Sequence, residues 1–232
     1  MSPRYAIYYA PPAGTALWDK ASAWLGRDAY ADTDCVRPVF DDLADLDLDT
    51  LTADPRGYGF HATLKAPFEL ASDRSEDELL LALDRFAGDL TPFEVEIAPA
   101  ALGRFLAFRL QSESLQMQAL HGACVRDLDG FRAPLSEFDL ARRRKAPLTP
   151  EQDERLITWG YPYVFEDFRF HMTLTGQIRD DAQRERVLKA LQTYFADEIG
   201  PHCFDGVALF KQADRDAPFV ILKRTTFGKP RD

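Results

Sequence analysis

Two short segments of the chain nearly repeat each other, FHATL at 60–64 and FHMTL at 170–174. Each places a histidine two residues before a threonine within an apolar stretch. In an extended strand, residues two apart point to the same face. His61 would then stand beside Thr63, and His171 beside Thr173. Phe60, Ala62 and Leu64 in one segment, and Phe170, Met172 and Leu174 in the other, would face the opposite way. An imidazole gives or takes a proton near neutral pH, and a hydroxyl donates to an anionic oxygen. Two such pairs facing one cleft would make a site for acid–base attack on a phosphodiester with no metal required.

Two histidines can meet only if the elements carrying them come together from distant parts of the chain. The strand at 5–10 ends at Pro11–Pro12, and Thr15 is placed to cap a helix over 16–25 that closes near Gly26. An acidic, irregular stretch over 28–59, with a short helix near 41–46, leads to the first His-strand at 60–66, which ends at Pro67. Ser75 followed by Glu78 forms a capping box for a helix to about Gly88, and strands follow at 93–97 and 105–110. The second half echoes this order. A helix over 114–128, a polar region over 131–159 with a helix begun by Thr149-Pro150, the second His-strand at 169–175, a helix over 181–198 and strands at 203–210 and 219–226 complete it. The repeated order predicts a single bilobal domain over 1–232, with approximate lobes at 1–100 and 101–232 from an internal duplication.

With 232 residues, 46% hydrophobic and 28% charged, the composition is that of a globular protein able to bury a sizeable core. A net charge of −10 argues against a protein that grips long nucleic acid through its backbone, which needs a basic face. It leaves room for a small phosphorylated ligand in a locally basic cleft. Cys35, Cys124 and Cys203 are odd in number and widely spaced, so neither a disulfide framework nor a cysteine metal site is expected. No signal-peptide pattern or membrane-length apolar run is present, and the sequence reads as cytoplasmic.

The paired His-x-Thr segments resemble the 2H phosphoesterase superfamily. The longer strings RYAIYYAPP, PRGYGFHATLKAPF, ARRRKAPLT and WGYPYVFEDFRFHMTLTG look like the branch of it associated with phosphonate metabolism, and the resemblance covers nearly the whole chain. It implies an α+β fold of two pseudo-symmetric lobes, with antiparallel sheets lining a central groove and helices outside. It also implies metal-independent hydrolysis of a small cyclic ribose phosphate, with no cofactor. The 1,2-cyclic ester of a phosphorylated ribose is the substrate suggested for this branch. His61 and His171 carry over as the catalytic pair, Thr63 and Thr173 as phosphate-binding residues.

By placement alone, Lys65, Tyr58, Arg169, Arg104 and Tyr161 are further candidates for contacting substrate. The charge run Arg142–Arg143–Arg144–Lys145 reads first as solvated surface and second as a gate. His121 is expected at a core edge and His202 to be incidental. A zinc site is not expected, because no close pair such as H-x-x-x-H is present. In ring opening, one imidazole takes a proton from water and the other gives one to the departing oxygen. Near-symmetry makes these roles interchangeable on paper, and His171 is assigned as base. A 2′,3′-cyclic nucleotide or RNA-end phosphodiesterase or ligase is the alternative enzyme, and a non-catalytic sensor of a cyclic phosphate the alternative from another class.

Overall fold

A run of β-branched and aromatic residues, buried from Tyr5 to Tyr9, starts the chain in β1 (Arg4–Tyr9), and the next segment coils into α1 (Ala16–Leu25). The computed structural model describes residues 2–228. Thr15 sits at the N-cap of α1, but its hydroxyl donates back to the Pro12 carbonyl at 2.7 Å and not to the helix. Gly26 closes α1 at φ 81°, a left-handed turn suited to glycine. A small hairpin, β2 (Arg27–Asp28) with β3 (Thr33–Asp34), and a 3-10 turn at Asp41–Leu43 lead to α2 (Leu48–Tyr58). The acidic stretch expected to be irregular thus contains a full helix. The Asp47 carboxylate caps it by accepting from the Asp49 and Thr50 amides. Pro55 lies inside α2 and cannot donate to the Leu51 carbonyl. That carbonyl instead accepts the Gly176 amide at 2.7 Å, which ties α2 to the segment after the second histidine.

The elements β4 (Ala62–Glu69), α3 (Glu76–Gly88), β5 (Phe93–Leu102) and β6 (Phe105–Leu110) follow, and α3 carries the expected Ser75–Glu78 capping box. Then come α4 (Leu115–Asp127), α5 (Glu137–Arg143), α6 (Pro150–Trp159) and β7 (Met172–Thr173). Thr149 and Gln152 cap α6 reciprocally, with Pro150 in its first turn. The chain ends with α7 (Asp181–Tyr194), β8 (Gly200–Phe204), β9 (Gly206–Gln212) and β10 (Phe219–Thr226).

Eight strands form one sheet in the order β10-β9-β1-β4-β7-β6-β5-β8, and every pairing is antiparallel. The α+β class is therefore as expected, with two four-stranded halves continuous across the β4–β7 junction. The halves do not follow the expected boundary near residue 100. β5 lies with β6, β7 and β8, while β9 and β10 return to flank β1. Each half of the sheet thus borrows strand from the other half of the sequence. α3 packs on β9 and β10, α7 on β5 and β6, and α4 on β4. One core cluster runs through the whole, from Trp18, Trp24 and Phe210 to Phe108, Phe195 and Phe204.

β4 departs from the expected strand in two ways. It runs through Pro67, where the register with β1 shifts between Tyr5–Phe68 and Ile7–Lys65. A proline at such a bulge removes no ladder bond. A second shift lies between Ile7–Lys65 and Tyr8–Thr63, which leaves Leu64 as the extra residue. β7 is far shorter than the expected 169–175. Past Thr173 the chain leaves the regular ladder: the Leu106 amide is taken by the Thr175 hydroxyl, and the Leu174 carbonyl by the Trp24 indole.

Candidate functional site

β4 and β7 meet through one residue pair, Ala62 opposite Met172. These are the middle residues of the two His-x-Thr segments. In an antiparallel register, moving one residue either way sets His61 opposite Thr173 and Thr63 opposite His171. The four side chains therefore share one face at the centre of the sheet, with each histidine beside its own threonine and across from the other's. Phe60, Ala62, Phe170, Met172 and Leu174 are buried on the other side, as the alternation predicted, while Leu64, the extra residue of the bulge, is buried and borders the cleft. Each histidine itself stands one residue before its strand, because the local main chain is used to hold the ring.

That hold is the same twice. His61 Nδ1 lies 3.0 Å from the Gly59 carbonyl, and His171 Nδ1 lies 2.6 Å from the Arg169 carbonyl. A carbonyl only accepts, so Nδ1 carries the proton in both rings and Nε2 is left to work. Gly59 makes this possible at 61 with φ 72° and ψ 172°, a conformation reserved for glycine, and a Cβ there would meet Ala29 Cβ at 2.7 Å. In the neutral form His61 Nε2 accepts from the Thr63 hydroxyl at 3.3 Å.

The surroundings of the two rings differ. Tyr8 lies flat on His61, with centroids 3.7 Å apart and planes 10° from parallel, and Tyr58 meets it edge-on at 5.3 Å. His61 is 8% exposed. Burial, ahead of the charge of His171, lowers its pKa to about 3, while the Gly59 carbonyl opposes the shift. Ala107 occupies the β6 position next to Thr173 that Tyr8 occupies next to Thr63. His171 consequently has no ring laid on it and is half-buried, with Phe105 edge-on at 5.7 Å. Its pKa is also lowered, first by burial and then by Arg109. A cleft of about 240 Å³ opens beside it, lined among others by Thr63, Tyr161, Tyr163, Arg169 and His171.

Of the further candidates, Tyr58 and Tyr161 are at the site. Tyr58 ends α2 close to Thr173, and burial raises its pKa to about 12 while the Thr173 side chain opposes the shift. Arg169 lines the cleft, although its guanidinium is bound to the Glu166 and Phe168 carbonyls at 2.7 and 3.0 Å. Two expectations are corrected. Lys65 is 3% exposed and donates to the Val125 carbonyl at 3.0 Å and to Asp129 at 2.8 Å. The bulge at Leu64 shifts the two-residue alternation, so Lys65 turns toward α4 and Ala66 joins the cleft wall. Arg104 is exposed in the turn between β5 and β6 and lines none of the principal cavities found among the described residues.

His121 is structural, as expected. Its Nδ1 donates to the Leu64 carbonyl at 2.9 Å, its Nε2 accepts the Phe165 amide at 3.0 Å, and Phe168 stacks on it. The charge run divides: Arg144 bridges to Asp153, Lys145 is exposed, and Arg142 and Arg143 turn into a cavity beside the cleft.

Two residues at the site were missed from sequence. Tyr8 left no signal beyond strand propensity. Arg109 did leave one, as a charged residue in phase with Phe105 and Ala107 in FLAFRL. Extending the β6–β7 register puts Arg109 opposite His171 on the site's face. Its Nε is buried with no partner among the described residues, and its Nη1 donates to the Ala101 carbonyl at 3.1 Å. Among the described residues, no three His, Cys, Asp or Glu side chains converge as a metal would require. No described helix is long and apolar enough to cross a membrane.

The sequence profile of a family described as a protein of unknown function, DUF1045, matches residues 63–220. Two curated relatives, from Janthinobacterium sp. (strain Marseille) and Laribacter hongkongensis (strain HLHK9), are each named ribose 1,5-bisphosphate phosphokinase PhnN. Each is 36% identical to this chain, over 97% and 95% of it respectively, and over 51% of the relative. The chain thus spans about half the length of the curated relatives it matches. Among solved structures, apo LigT of E. coli overlays with a TM-score of 0.45 at 10% identity, over 98% of this chain and 99% of that one.

Proposed function

We propose that this chain, which belongs to the DUF1045 family, is a phosphodiesterase that opens a small cyclic ribose phosphate by two-histidine acid–base catalysis. The observation that carries this reading is the Ala62–Met172 register, which gathers both histidines and both threonines on one face. Matching Nδ1 anchors, which turn both Nε2 atoms toward the threonine-bearing face, support it further.

In this reading the phosphoryl group sits between the rings, with its non-bridging oxygens on the Thr63 and Thr173 hydroxyls. His171 takes the proton of a water that enters from the open cleft. The water oxygen attacks phosphorus in line, and the opposite P–O bond of the ring breaks. His61 gives its proton to the departing ribose oxygen, leaving a phosphomonoester and a free hydroxyl. Each proton transfer of this kind is worth about 10²–10⁴-fold. The bound anion offsets the desolvation that keeps His61 neutral in the free protein, and the face of Tyr8 favours the imidazolium. Ring strain in the ester makes a metal dispensable. The kinase activity in the relatives' names is that of proteins twice this length, and this sequence holds no G-x-x-x-x-G-K-[ST] phosphate loop. What those names lend to the reading is a ribose phosphate as the class of ligand; a place in phosphonate use rests on the resemblance of the longer sequence strings.

Phosphorus NMR of the purified protein against a panel of cyclic ribose phosphates, with chelator present, tests it. A cyclic-ester resonance should convert to a phosphomonoester, and His61→Ala and His171→Ala should each stop the conversion in folded protein. The reading fails if no ester of the panel opens, if a divalent metal is required, or if either variant keeps near wild-type turnover.

A further inference from the structure

Along β1 the cleft face carries Tyr8, Ala6 and Arg4, by the same alternation that sets out the histidine pairs. At Arg4 this face reaches a second cavity, of about 110 Å³, lined by Arg4, Arg142, Arg143, Arg215, Asp139 and Glu69 among others. Four guanidinium groups meet two carboxylates there. The carboxylates are already taken: Arg215 holds Asp139 at 2.7 Å and Glu69 at 3.2 Å, and Arg142 holds Asp139 at 3.2 Å. Arg4 and Arg143 have no carboxylate partner among the described residues. Among the described residues the Arg4 guanidinium hydrogen-bonds only to the Gln212 side-chain oxygen, and Arg143 lies 4.7 Å over the Tyr161 ring. Two uncompensated cations in a half-buried pocket of an acidic protein call for an anion.

The pocket adjoins the histidine site. Tyr161 lines the cleft and is the ring under Arg143. Phe219 lies 6.1 Å from the Tyr8 ring and 5.7 Å from the Arg4 guanidinium, and Tyr8 in turn covers His61. Along β4 the wall passes from Thr63 and Ala66 in the cleft directly to Pro67 and Glu69 in the pocket. Along β1, Arg4 lies four residues from Tyr8, about 13 Å of extended chain between backbone positions.

We propose that this pocket is a second anion subsite, where Arg4 and Arg143 take a terminal phosphomonoester of the substrate whose cyclic ester lies between the histidines. The assignment rests on the cyclic-ester reading for the identity of the first site, and it gives the second phosphate of such a sugar a place and two binding residues. Arginine gives the planar, bidentate donation that a phosphomonoester uses well.

The test compares two cyclic ribose phosphates that differ only in a phosphate on the 5-carbon. Wild type should favour the phosphorylated one in kcat/KM by at least about tenfold, the value of one lost charge-assisted contact. Arg143→Gln and Arg4→Gln should each abolish most of that preference, mainly through KM. A wild type that does not discriminate, or variants that lose both substrates equally, would overturn the assignment. If neither ester is turned over, the catalytic reading falls and the pocket is judged by calorimetry with inorganic phosphate. Binding that persists in His61→Ala and vanishes in Arg143→Gln supports the subsite. No binding to wild type, or binding that survives Arg143→Gln, removes it.

Discussion

Replacing Gly59 with alanine puts a single methyl group where the structure leaves no room and the backbone no freedom. The residue has φ 72° and ψ 172°, and an added Cβ would meet Ala29 Cβ at 2.7 Å. Holding a non-glycine residue in that region costs about 1–3 kcal/mol. Overpacking against a buried neighbour costs about as much again. A loss of about 4 kcal/mol is expected, which for a protein of this size lowers the melting temperature by roughly 8–15 °C. The backbone relieves the clash by turning, and the carbonyl that turns is the one accepting from His61 Nδ1. Turnover of the cyclic ester should therefore fall about 10²–10⁴-fold even well below the new melting point. Gly57→Ala is the control, two residues away in α2 with nothing within 4 Å of the added carbon. It should leave turnover intact and melt at or slightly above wild type. Scanning calorimetry and single-turnover assays on both variants decide the matter. If Gly59→Ala melts with wild type and keeps its turnover, the carbonyl does not set the His61 ring.

The pH dependence of kcat/KM reports the free protein, in which burial keeps both rings neutral at pH 7 by lowering His61 to about 3 and His171 below its ordinary value. The charged acid grows scarcer as pH rises, so kcat/KM should peak below about pH 6.5 and decline above it. kcat should peak at a higher pH, because the bound anion favours the imidazolium; a kcat/KM optimum above about 7.5 contradicts this. Lys65→Met removes a buried ammonium from Val125 and Asp129 and should cost about 1–3 kcal/mol of stability, while KM stays unchanged. A raised KM at an unaltered melting temperature would return Lys65 to the substrate. Arg109→Gln should lower kcat/KM about 10–100-fold at little cost in melting temperature. Its buried Nε has no partner among the described residues, and the bond it gives up, from Nη1 to the Ala101 carbonyl, is exposed. Full activity would make that arginine a bystander.

Where the signal was local, the sequence was readable. Ser75 with Glu78, and Thr149 with Pro150 and Gln152, announce their helices because a capping box needs nothing beyond four neighbouring residues. The His-x-Thr segments were legible because their alternation is broken only after Thr63. Lys65 was misread because the extra residue at Leu64 belongs to the pairing of β4 with β1, and a bulge is a property of two strands. α2 was missed because Pro55, Gly57 and four acidic residues between 45 and 54 weigh against a helix locally. Contacts elsewhere in the molecule outweigh them. The boundary near residue 100 failed for a similar reason. Strand order is a tertiary fact, and the exchange of β5 with β9 and β10 leaves no mark on either segment's composition.

Pro55 has a consequence that reaches past its own helix. By withholding one donor it leaves the Leu51 carbonyl to be claimed by Gly176, more than a hundred residues downstream. α2 ends in Tyr58, beside one imidazole, and Gly176 follows close behind the other. Neither histidine-bearing half can then finish assembling alone. The first acquires its last backbone partner only when the second has docked, so a chain interrupted between them would expose a bare acceptor before it could bind anything.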